Sequence, residues 1–286
     1  MIDYIKWEIN NKCNLNCPYC FLKEETKELD LIDKYIIADK LIQFKPKVID
    51  FFGKEPLYNE DIFKLIDYLE GKVNYSFITN GVNLLKYSKE ILKRSERLCQ
   101  MTISYDCGLK ARKFNIDLSK ITNLTDKVYT ELTLDTHLKN IDDVLREVKT
   151  FRNYGIESTY INPIENYGNS LNAYYSLNEK MLEDLIKELI KIEHLLTNQV
   201  LIRVPFSFAG LTKKYQGVTL NKIEFITEPK CNAGDNNLYV SSDGNVYGCV
   251  NAQNNKYKAN LFYDSPEEIL QKIKCNTGRA CCEVIR

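Results

Sequence analysis

Residues 2–20, IDYIKWEINNKCNLNCPYC, join a short alternating segment to three closely spaced cysteines, Cys13, Cys17 and Cys20. The alternation of apolar and polar side chains over residues 4–9 predicts a β-strand that ends just before the cysteines. Structural zinc sites use four protein ligands, whereas three thiolates leave one metal position open for a further ligand. We therefore expect an iron–sulfur cluster with an open iron, and a zinc site completed by a distant cysteine is the alternative.

Strand-like and helix-like segments alternate from this first strand to about residue 162. The strand segments are short and rich in Val, Ile, Tyr and Phe, as in a buried parallel sheet, and residues 28–44 and 140–153 have helical periodicity. Consecutive βα units predict right-handed crossovers, and six units are fewer than the eight of a closed barrel. The predicted fold class is α/β, an open partial (β/α)6 barrel of the TIM type. Its predicted strands are residues 4–9, 48–52, 73–78, 98–105, 127–134 and 157–161.

The chain changes character after Ile164. A turn-rich stretch precedes a long amphipathic helix, for which Ser176 and Glu179 have the spacing of a capping box. Residues 238–249 predict a hairpin closed by a two-residue turn at Asp243-Gly244. We predict a barrel core over residues 1–165, a connecting helical segment over 166–225 and a small cysteine-rich domain over 226–286.

The charge balance, the N-terminal sequence and the cysteine count indicate which kinds of binding partner and which cellular location to expect. Lys plus Arg equals Asp plus Glu at 39 each, so no net field favours nucleic acid or a membrane surface as the partner. The N-terminus predicts a strand rather than a signal peptide, and no apolar run approaches the roughly 18 residues of a transmembrane helix. We expect a cytoplasmic protein, in which a count of ten cysteines favours metal ligation over disulfides, with export and five disulfides as the alternative.

The three cysteines and their place after the first strand closely resemble the CxxxCxxC signature of the radical S-adenosylmethionine (SAM) superfamily. The resemblance implies a [4Fe-4S] cluster held by Cys13, Cys17 and Cys20. In that family the open iron chelates the amino and carboxylate groups of SAM, and reduction releases a 5′-deoxyadenosyl radical. It also implies an external electron donor such as flavodoxin or ferredoxin.

Two further stretches resemble motifs of the same family that bind SAM. Tyr19, directly before the third cysteine, matches the aromatic position beside adenine. Gly53, Lys54 and Glu55, followed by a proline, look like the GGEP motif, whose edge receives the methionine amino group. Lys54 stands where the family pattern has its second glycine.

Two more motifs follow the next predicted strands. Asn80, in Thr-Asn-Gly after strand three, matches a recurrent TNG turn. Ser104 and Asp106, at the end of strand four, match an S-x-D element near the ribose and the methionine carboxylate. Each short motif alone is typical of an ordinary turn. Their order favours the family, because each falls at a strand end, where α/β barrels build active sites.

The tail resembles the Twitch and SPASM extensions of this family, which carry auxiliary clusters. Cys231, Gly244 and Cys249 fit the pattern C-x(9–15)-G-x(4)-C. A full SPASM domain has seven cysteines, and this tail has five, so one auxiliary [4Fe-4S] cluster is expected. Its ligands would be Cys231, Cys249 and two of the last three cysteines. Buried free cysteines are the alternative. The last three are Cys275, Cys281 and Cys282.

Two cysteines lie outside these groups. Cys99 falls in an apolar strand and is interpreted as a core residue. Cys107 follows Asp106 at the mouth of the expected site, where a thiol can donate a hydrogen atom to a substrate radical. A passive loop cysteine is the alternative for Cys107.

The resemblance favours a maturase that modifies a peptide or protein side chain, with a precursor peptide as partner. The change would be a thioether, a carbon–carbon crosslink, an epimerisation or an oxidation. A radical SAM dehydrogenase of a small metabolite is the first alternative, because small Twitch-type members carry out that chemistry. A non-enzymatic metal-binding protein is the second, although it leaves the ordered strand-end motifs unexplained.

Overall fold

The computed structural model describes residues 2–20, 22, 27–107, 126–138, 140–164, 174–205, 208–227, 234–250 and 258–273. Four cysteines expected to bind the auxiliary cluster lie outside these residues, namely Cys231, Cys275, Cys281 and Cys282.

The described strands form one sheet in the order β11-β10-β9-β1-β2-β3-β4-β5-β6-β7-β8. Neighbouring strands from β9 through β1 to β8 pair in parallel, and the sheet is open, with β8 and β11 at its edges. The α/β class and the partial barrel predicted from the sequence are thereby confirmed. The strands are β1 Tyr4–Glu8, β2 Val48–Phe52, β3 Asn74–Thr79, β4 Leu98–Cys107, β5 Val128–Leu134, β6 Ser158–Pro163, β7 Gln199–Val204, β8 Ile223–Thr227, β9 Asn237–Val240, β10 Asn245–Tyr247 and β11 Ala259–Asn260.

Helices follow most of the parallel strands. Asparagine or aspartate side chains cap three of them, since Asp30, Asn140 and Asn178 each accept a hydrogen bond from a backbone amide of the first turn. The cap of the long helix after residue 164 is thus Asn178, and not Ser176 as the capping-box pattern predicts. The α-helices are α1 Leu31–Gln43, α2 Asp61–Tyr68, α3 Ser88–Lys93, α4 Ile141–Asn153, α5 Glu179–Lys191, α6 Ala209–Tyr215 and α7 Pro266–Ile273. Short 3-10 turns span Pro56–Tyr58, Ser95–Arg97 and Glu193–Leu195.

The sheet has more parallel strands than the six predicted. Strands β7 and β8 lie inside residues 166–225, for which the sequence predicts a helical connection. Buried and partly exposed side chains alternate along β7, as in a strand with two different faces. The residues after β6 therefore continue the alternation of strands and helices, in the order α5, β7, α6 and β8.

The C-terminal hairpin joins the main sheet. Strand β9 pairs in parallel with β1, so that Ile5 lies beside Leu238, and β10 turns back antiparallel to β9. The turn is longer than the predicted two residues. Ser241 and Asn245 close it through a 2.9 Å bond between the amide of Ser241 and the carbonyl of Asn245, and Gly244 between them has a φ of +81°. That left-handed conformation favours glycine.

The two faces of the sheet differ in chemistry. Ile5 and Trp7 of β1 are buried in the apolar core between the sheet and the helices. Lys6, between them, points to the opposite face and lines a cavity. Polar side chains on the inner face of the partial barrel therefore surround a space that the helices do not fill. No helix in the described ranges is both long and apolar enough to cross a membrane.

Candidate active site

A cavity of about 910 Å³ opens where the parallel strands end. Its wall brings together the expected residues of four successive loops and strand ends. After β1 come the three cysteines and Tyr19, after β2 the Gly53–Glu55 loop, after β3 Asn80, and from β4 Ser104. The structure thus places residues from four sequence motifs around one cavity.

The cysteine loop is ordered by its own backbone. The amide of Cys20 donates to the carbonyl of Cys17 at 3.1 Å, and the amide of Leu15 donates to Sγ of Cys13 at 3.3 Å. Cys13, Cys17 and Cys20 are all half-buried and line the cavity. Burial raises the pKa of the Cys13 thiol, and the N–H donors of Leu15 and Asn80 oppose that rise.

A buried ion-pair network ties the start of this loop to helix α1. Nζ of Lys34 lies 3.1 Å from Glu28 and 3.0 Å from Asp61, and its side chain is 3% exposed. The other carboxylate oxygen of Glu28 accepts the amide of Asn11 at 2.9 Å. The network therefore links Asn11 to Lys34 of α1 and Asp61 of α2, and loss of either carboxylate would weaken the compensation of the buried Lys34 charge.

Glu55 connects the loop after β2 to the loop after β3. One carboxylate oxygen accepts the amide of Leu57 at 2.9 Å and the hydroxyl of Thr79 at 2.6 Å. The other accepts the amide of Asn80 at 2.8 Å. The carbonyl of Glu55 accepts the side-chain amide of Asn10 at 2.9 Å, so the loop after β1 is included. The side chain is 1% exposed, and these bonds hold Leu57, Thr79 and Asn80 in place beside the cavity that Glu55 also lines.

Gly53 has the backbone that its motif requires. Its φ of +138° favours glycine, and a Cβ there would lie 2.8 Å from Cγ of Glu8. Lys54 lines the cavity in the position where the family pattern has a second glycine. The loop thus has a glycine, Gly53, where a side chain would collide with Glu8. It has a lysine, Lys54, where the side chain can extend into the cavity.

A hydrogen bond joins Tyr19, expected beside the adenine, to Asp106, expected near the ribose. The phenol of Tyr19 donates to the buried carboxylate of Asp106. Ser104, two residues earlier on β4, points to the cavity, in keeping with the alternation of side chains along a strand. The rings of Tyr19 and Tyr175 pack edge to face, with 6.2 Å between their centroids.

The barrel side of the cavity carries polar residues that the sequence motifs do not include. Oε1 of Glu131 on β5 accepts the amide of Asn162 on β6 at 3.2 Å, and Oδ1 of Asn162 accepts the guanidinium of Arg203 on β7 at 3.2 Å. Lys6 and Tyr160 line the same wall. Polar residues at alternate positions of β5 and β6 are the sequence signal for this wall, and on β7 the signal is weaker because Leu201 precedes Arg203 by two.

Cys107 lies away from the cavity wall. It is 1% exposed and belongs to the core between the sheet and the helices. Tyr105, on the same face of β4, packs against Phe151 of α4. The alternation that turns Ser104 toward the cavity turns Cys107 toward the helix layer. This placement differs from the expected position at the mouth of the site and does not favour a hydrogen-donor role.

Cys249 is the one auxiliary-cluster candidate among the described residues. It is half-buried and packs against a small apolar cluster of Leu22, Phe52, Tyr239 and Tyr247. Cys20 packs against the same cluster.

The donor set of the cysteine loop fits a four-iron cluster better than a single ion. In the described ranges, no three His, Cys, Asp or Glu side chains are placed to hold one metal ion together. A four-iron cluster binds each thiolate through a different iron, so its ligands lie further apart than those of one ion. Three thiols around one cavity suit a cluster with one open iron.

Comparison with known proteins agrees with this geometry. Residues 7–189 match the model of the Radical SAM superfamily. The chain is 25% identical over 87% of its length to the radical SAM cyclopropyl synthase TigE of Paramaledivibacter caminithermalis. It is 29% identical over 50% of its length to a GTP 3′,8-cyclase of Clostridium acetobutylicum. It spans 57% and 48% of these two relatives, about half of their length.

A similar fold occurs in the crystal structure of SuiB from Streptococcus suis bound to its precursor peptide SuiA. The TM-score is 0.75 at 16% identity, and the match covers 98% of this chain and 66% of SuiB. SuiB bound to S-adenosylmethionine matches with a TM-score of 0.71. At this identity the likeness establishes the shared fold.

Proposed function

The chain belongs to the radical SAM superfamily, and we propose that it cleaves SAM reductively and uses the 5′-deoxyadenosyl radical to modify a peptide or protein side chain. The observation that carries the proposal is the convergence of the cysteine loop, the Gly53–Glu55 loop, Asn80 and Ser104 on one cavity. Cys13, Cys17 and Cys20 would hold the cluster, which supplies the electron for SAM cleavage when it is bound. An external donor such as flavodoxin or ferredoxin would supply that electron in the cell.

The residues around the cavity have distinct roles in this proposal. Tyr19, Ser104 and Asp106 would hold the nucleoside end of SAM, and the Gly53–Glu55 loop would receive its methionine end. Glu55 would act by fixing the loop, since its carboxylate oxygens already accept three hydrogen bonds. The remaining wall, with Glu131, Asn162 and Arg203, would face the substrate.

A peptide substrate is supported by two features. The wall of Glu131, Asn162 and Arg203 offers both donors and acceptors, which suits the alternating N–H and C=O groups of a peptide. The fold is also that of SuiB, which was crystallised with its precursor peptide.

The tail of the chain would be a Twitch- or SPASM-like extension with one auxiliary [4Fe-4S] cluster. Cys249 would hold this cluster with partners among Cys231, Cys275, Cys281 and Cys282. The cluster would accept the electron that a substrate radical releases.

A small-molecule substrate is the second candidate, favoured by the similarity to a GTP 3′,8-cyclase. Lys6, Lys12, Lys54 and Arg203 line the cavity, and this excess of cations is compatible with an anionic metabolite.

One anaerobic experiment separates the two candidates. Reconstituted protein is incubated with SAM, dithionite and either a short peptide encoded beside the gene or GTP, and the products are analysed by mass spectrometry. We expect 5′-deoxyadenosine together with a mass change in the peptide and none in GTP. Conversion of GTP with an unchanged peptide would establish the second candidate. The Cys13→Ala, Cys17→Ala, Cys20→Ala triple variant is the control, and SAM cleavage by that variant would refute the cluster assignment.

A further inference from the structure

Asn80 contacts a cluster-binding cysteine directly. Its Nδ2 lies 3.6 Å from Sγ of Cys13 and donates to Oδ1 of Asn14 at 2.8 Å. The residue follows β3, 67 positions after Cys13 in the chain, and is 8% exposed. The side-chain amide therefore lies in a buried place beside the sulfur, where a hydrogen bond is less screened than in water.

Two further hydrogen bonds fix the backbone and the side-chain orientation of Asn80. The backbone N–H of Asn80 donates to Glu55 at 2.8 Å, and Oδ1 of Asn80 accepts the amide of Val82 at 3.0 Å. Because Oδ1 is occupied by a backbone donor, the flipped arrangement of the amide would lose that bond and place an oxygen against the sulfur. The end of the side chain that carries hydrogen is thus the one that faces Cys13.

This arrangement links the loop after β2 to the cysteine loop. Glu55 holds the backbone of Asn80, and the side chain of Asn80 holds Cys13 and Asn14. The sulfur of Cys13 also accepts the backbone amide of Leu15. Hydrogen bonds to cluster sulfurs are among the factors that set the reduction potential of an iron–sulfur centre, since they stabilise the more negative, reduced state.

We propose that Asn80 is a positioning residue that raises the reduction potential of the cluster through its N–H···S contact with Cys13. The inference rests on the proposed function, because it requires a cluster on Cys13. Loss of the donor would make the reduced cluster harder to form and would slow SAM cleavage at a fixed strength of reductant. Asn80 takes no part in the bond changes of the reaction.

The test compares reconstituted wild-type protein with Asn80→Ala, Asn80→Asp and Asn83→Ala by redox titration followed by electron paramagnetic resonance. Asn83 is the matched control, because it lies on the same turn and its amide donates to the carbonyl of Leu57 at 2.9 Å instead of to a cysteine. The aspartate variant keeps the shape and the acceptor for Val82 but replaces the donor with an anionic oxygen. Iron content and circular dichroism establish that each variant is folded and loaded.

We expect the reduction potential of the cluster on Cys13 to be lower than in wild type in Asn80→Ala and lower still in Asn80→Asp. In Asn83→Ala this potential should equal the wild-type value. At a fixed, partly reducing potential, the fraction of reduced cluster should fall roughly 3- to 10-fold in the Asn80 variants. SAM cleavage measured without a substrate should fall by the same factor. Loss of iron from the Asn80 variants, with iron kept in Asn83→Ala, would show that Asn80 is needed to bind the cluster and would overturn a role in setting its potential. Equal potentials in all four proteins would overturn the inference, whereas wild-type protein that binds no cluster would overturn the proposed function.

Discussion

The phenol of Tyr239 on β9 donates a 2.7 Å hydrogen bond to the buried carboxylate of Glu8 on β1, between residues 231 positions apart in the chain. Glu8 is the last residue of β1, just before the cysteine loop, and its Cγ lies beside Gly53. Burial raises the pKa of Glu8 to about 7, although the bond from Tyr239 and the charge of Lys54 act in the opposite direction. The C-terminal strand thus buries a carboxyl group at the edge of the active site.

This pKa predicts how stability depends on pH. Between pH 4.5 and about 7 the folded protein keeps a proton on Glu8 that the unfolded chain has released. The contribution of Glu8 to the free energy of unfolding is therefore fully present below pH 4.5. It is lost as the pH rises through the pKa that Glu8 has in the folded protein. Replacing Glu8 with Gln removes this term, so the unfolding free energy of the variant relative to wild type should rise by about 1–3 kcal/mol from pH 4.5 to 8.

Urea denaturation at a series of pH values measures the effect. Tyr239→Phe is the companion variant, because loss of the phenol removes a bond that favours the charged carboxylate and moves the pH-dependent loss upward. Parallel pH profiles for wild type and Glu8→Gln would show that Glu8 does not titrate in this range.

The sequence indicates where along the chain the motif residues lie, but not which strands become neighbours in the sheet. The motif residues lie at strand ends, where local signals fix both the strand and the turn that follows, as with Asn80 after β3. The pairing of β9 with β1 is different, because a contact between Ile5 and Leu238 leaves no local trace in either segment. The chain of Glu131, Asn162 and Arg203 likewise depends on three strands being neighbours.

Cys99 illustrates a local failure of the pattern. Its apolar surroundings predict a core position, but it is exposed. Leu98 pairs with Tyr75 and Gln100 with Ser76, so Cys99 is an extra residue in the ladder between β3 and β4. Such a bulge turns one side chain out of the alternation, and sequence periodicity does not reveal it.

Replacing Gly53 with Ala should damage both stability and SAM cleavage. The new Cβ would meet Glu8 at 2.8 Å, and the φ of +138° is strained for alanine. Gly71→Ala is the matched control, because Gly71 has a φ of +72° but a Cβ added there would meet no atom within 4 Å. We expect a loss of about 1–2 kcal/mol for Gly71→Ala from backbone strain and a larger loss for Gly53→Ala. Urea denaturation and 5′-deoxyadenosine formation measure these effects, and equal losses at the two sites would contradict the close approach.

Iron content tests the proposed auxiliary cluster. Anaerobically reconstituted protein should carry about eight irons per chain, and Cys249→Ala about four, because one four-iron cluster would remain on the cysteine loop. Iron and acid-labile sulfide assays give these numbers, and Cys99→Ala is the control for loss of a cysteine at an exposed position. About four irons in both wild type and Cys249→Ala would remove the auxiliary cluster. Zinc in place of iron would favour the non-enzymatic metal-binding alternative.

Cys107→Ala should leave SAM cleavage and product formation unchanged while lowering the unfolding free energy by about 1 kcal/mol. The reason is its place in the core on the helix side of β4, where the thiol packs and does not meet the cavity. Turnover of the peptide substrate in deuterated water, followed by mass spectrometry, checks this directly. A thiol that quenches a substrate radical would carry solvent deuterium into the wild-type product, and the variant would stall after one hydrogen abstraction. An unlabelled product and full activity in Cys107→Ala are the expected results, and they would exclude Cys107 as the hydrogen-atom donor.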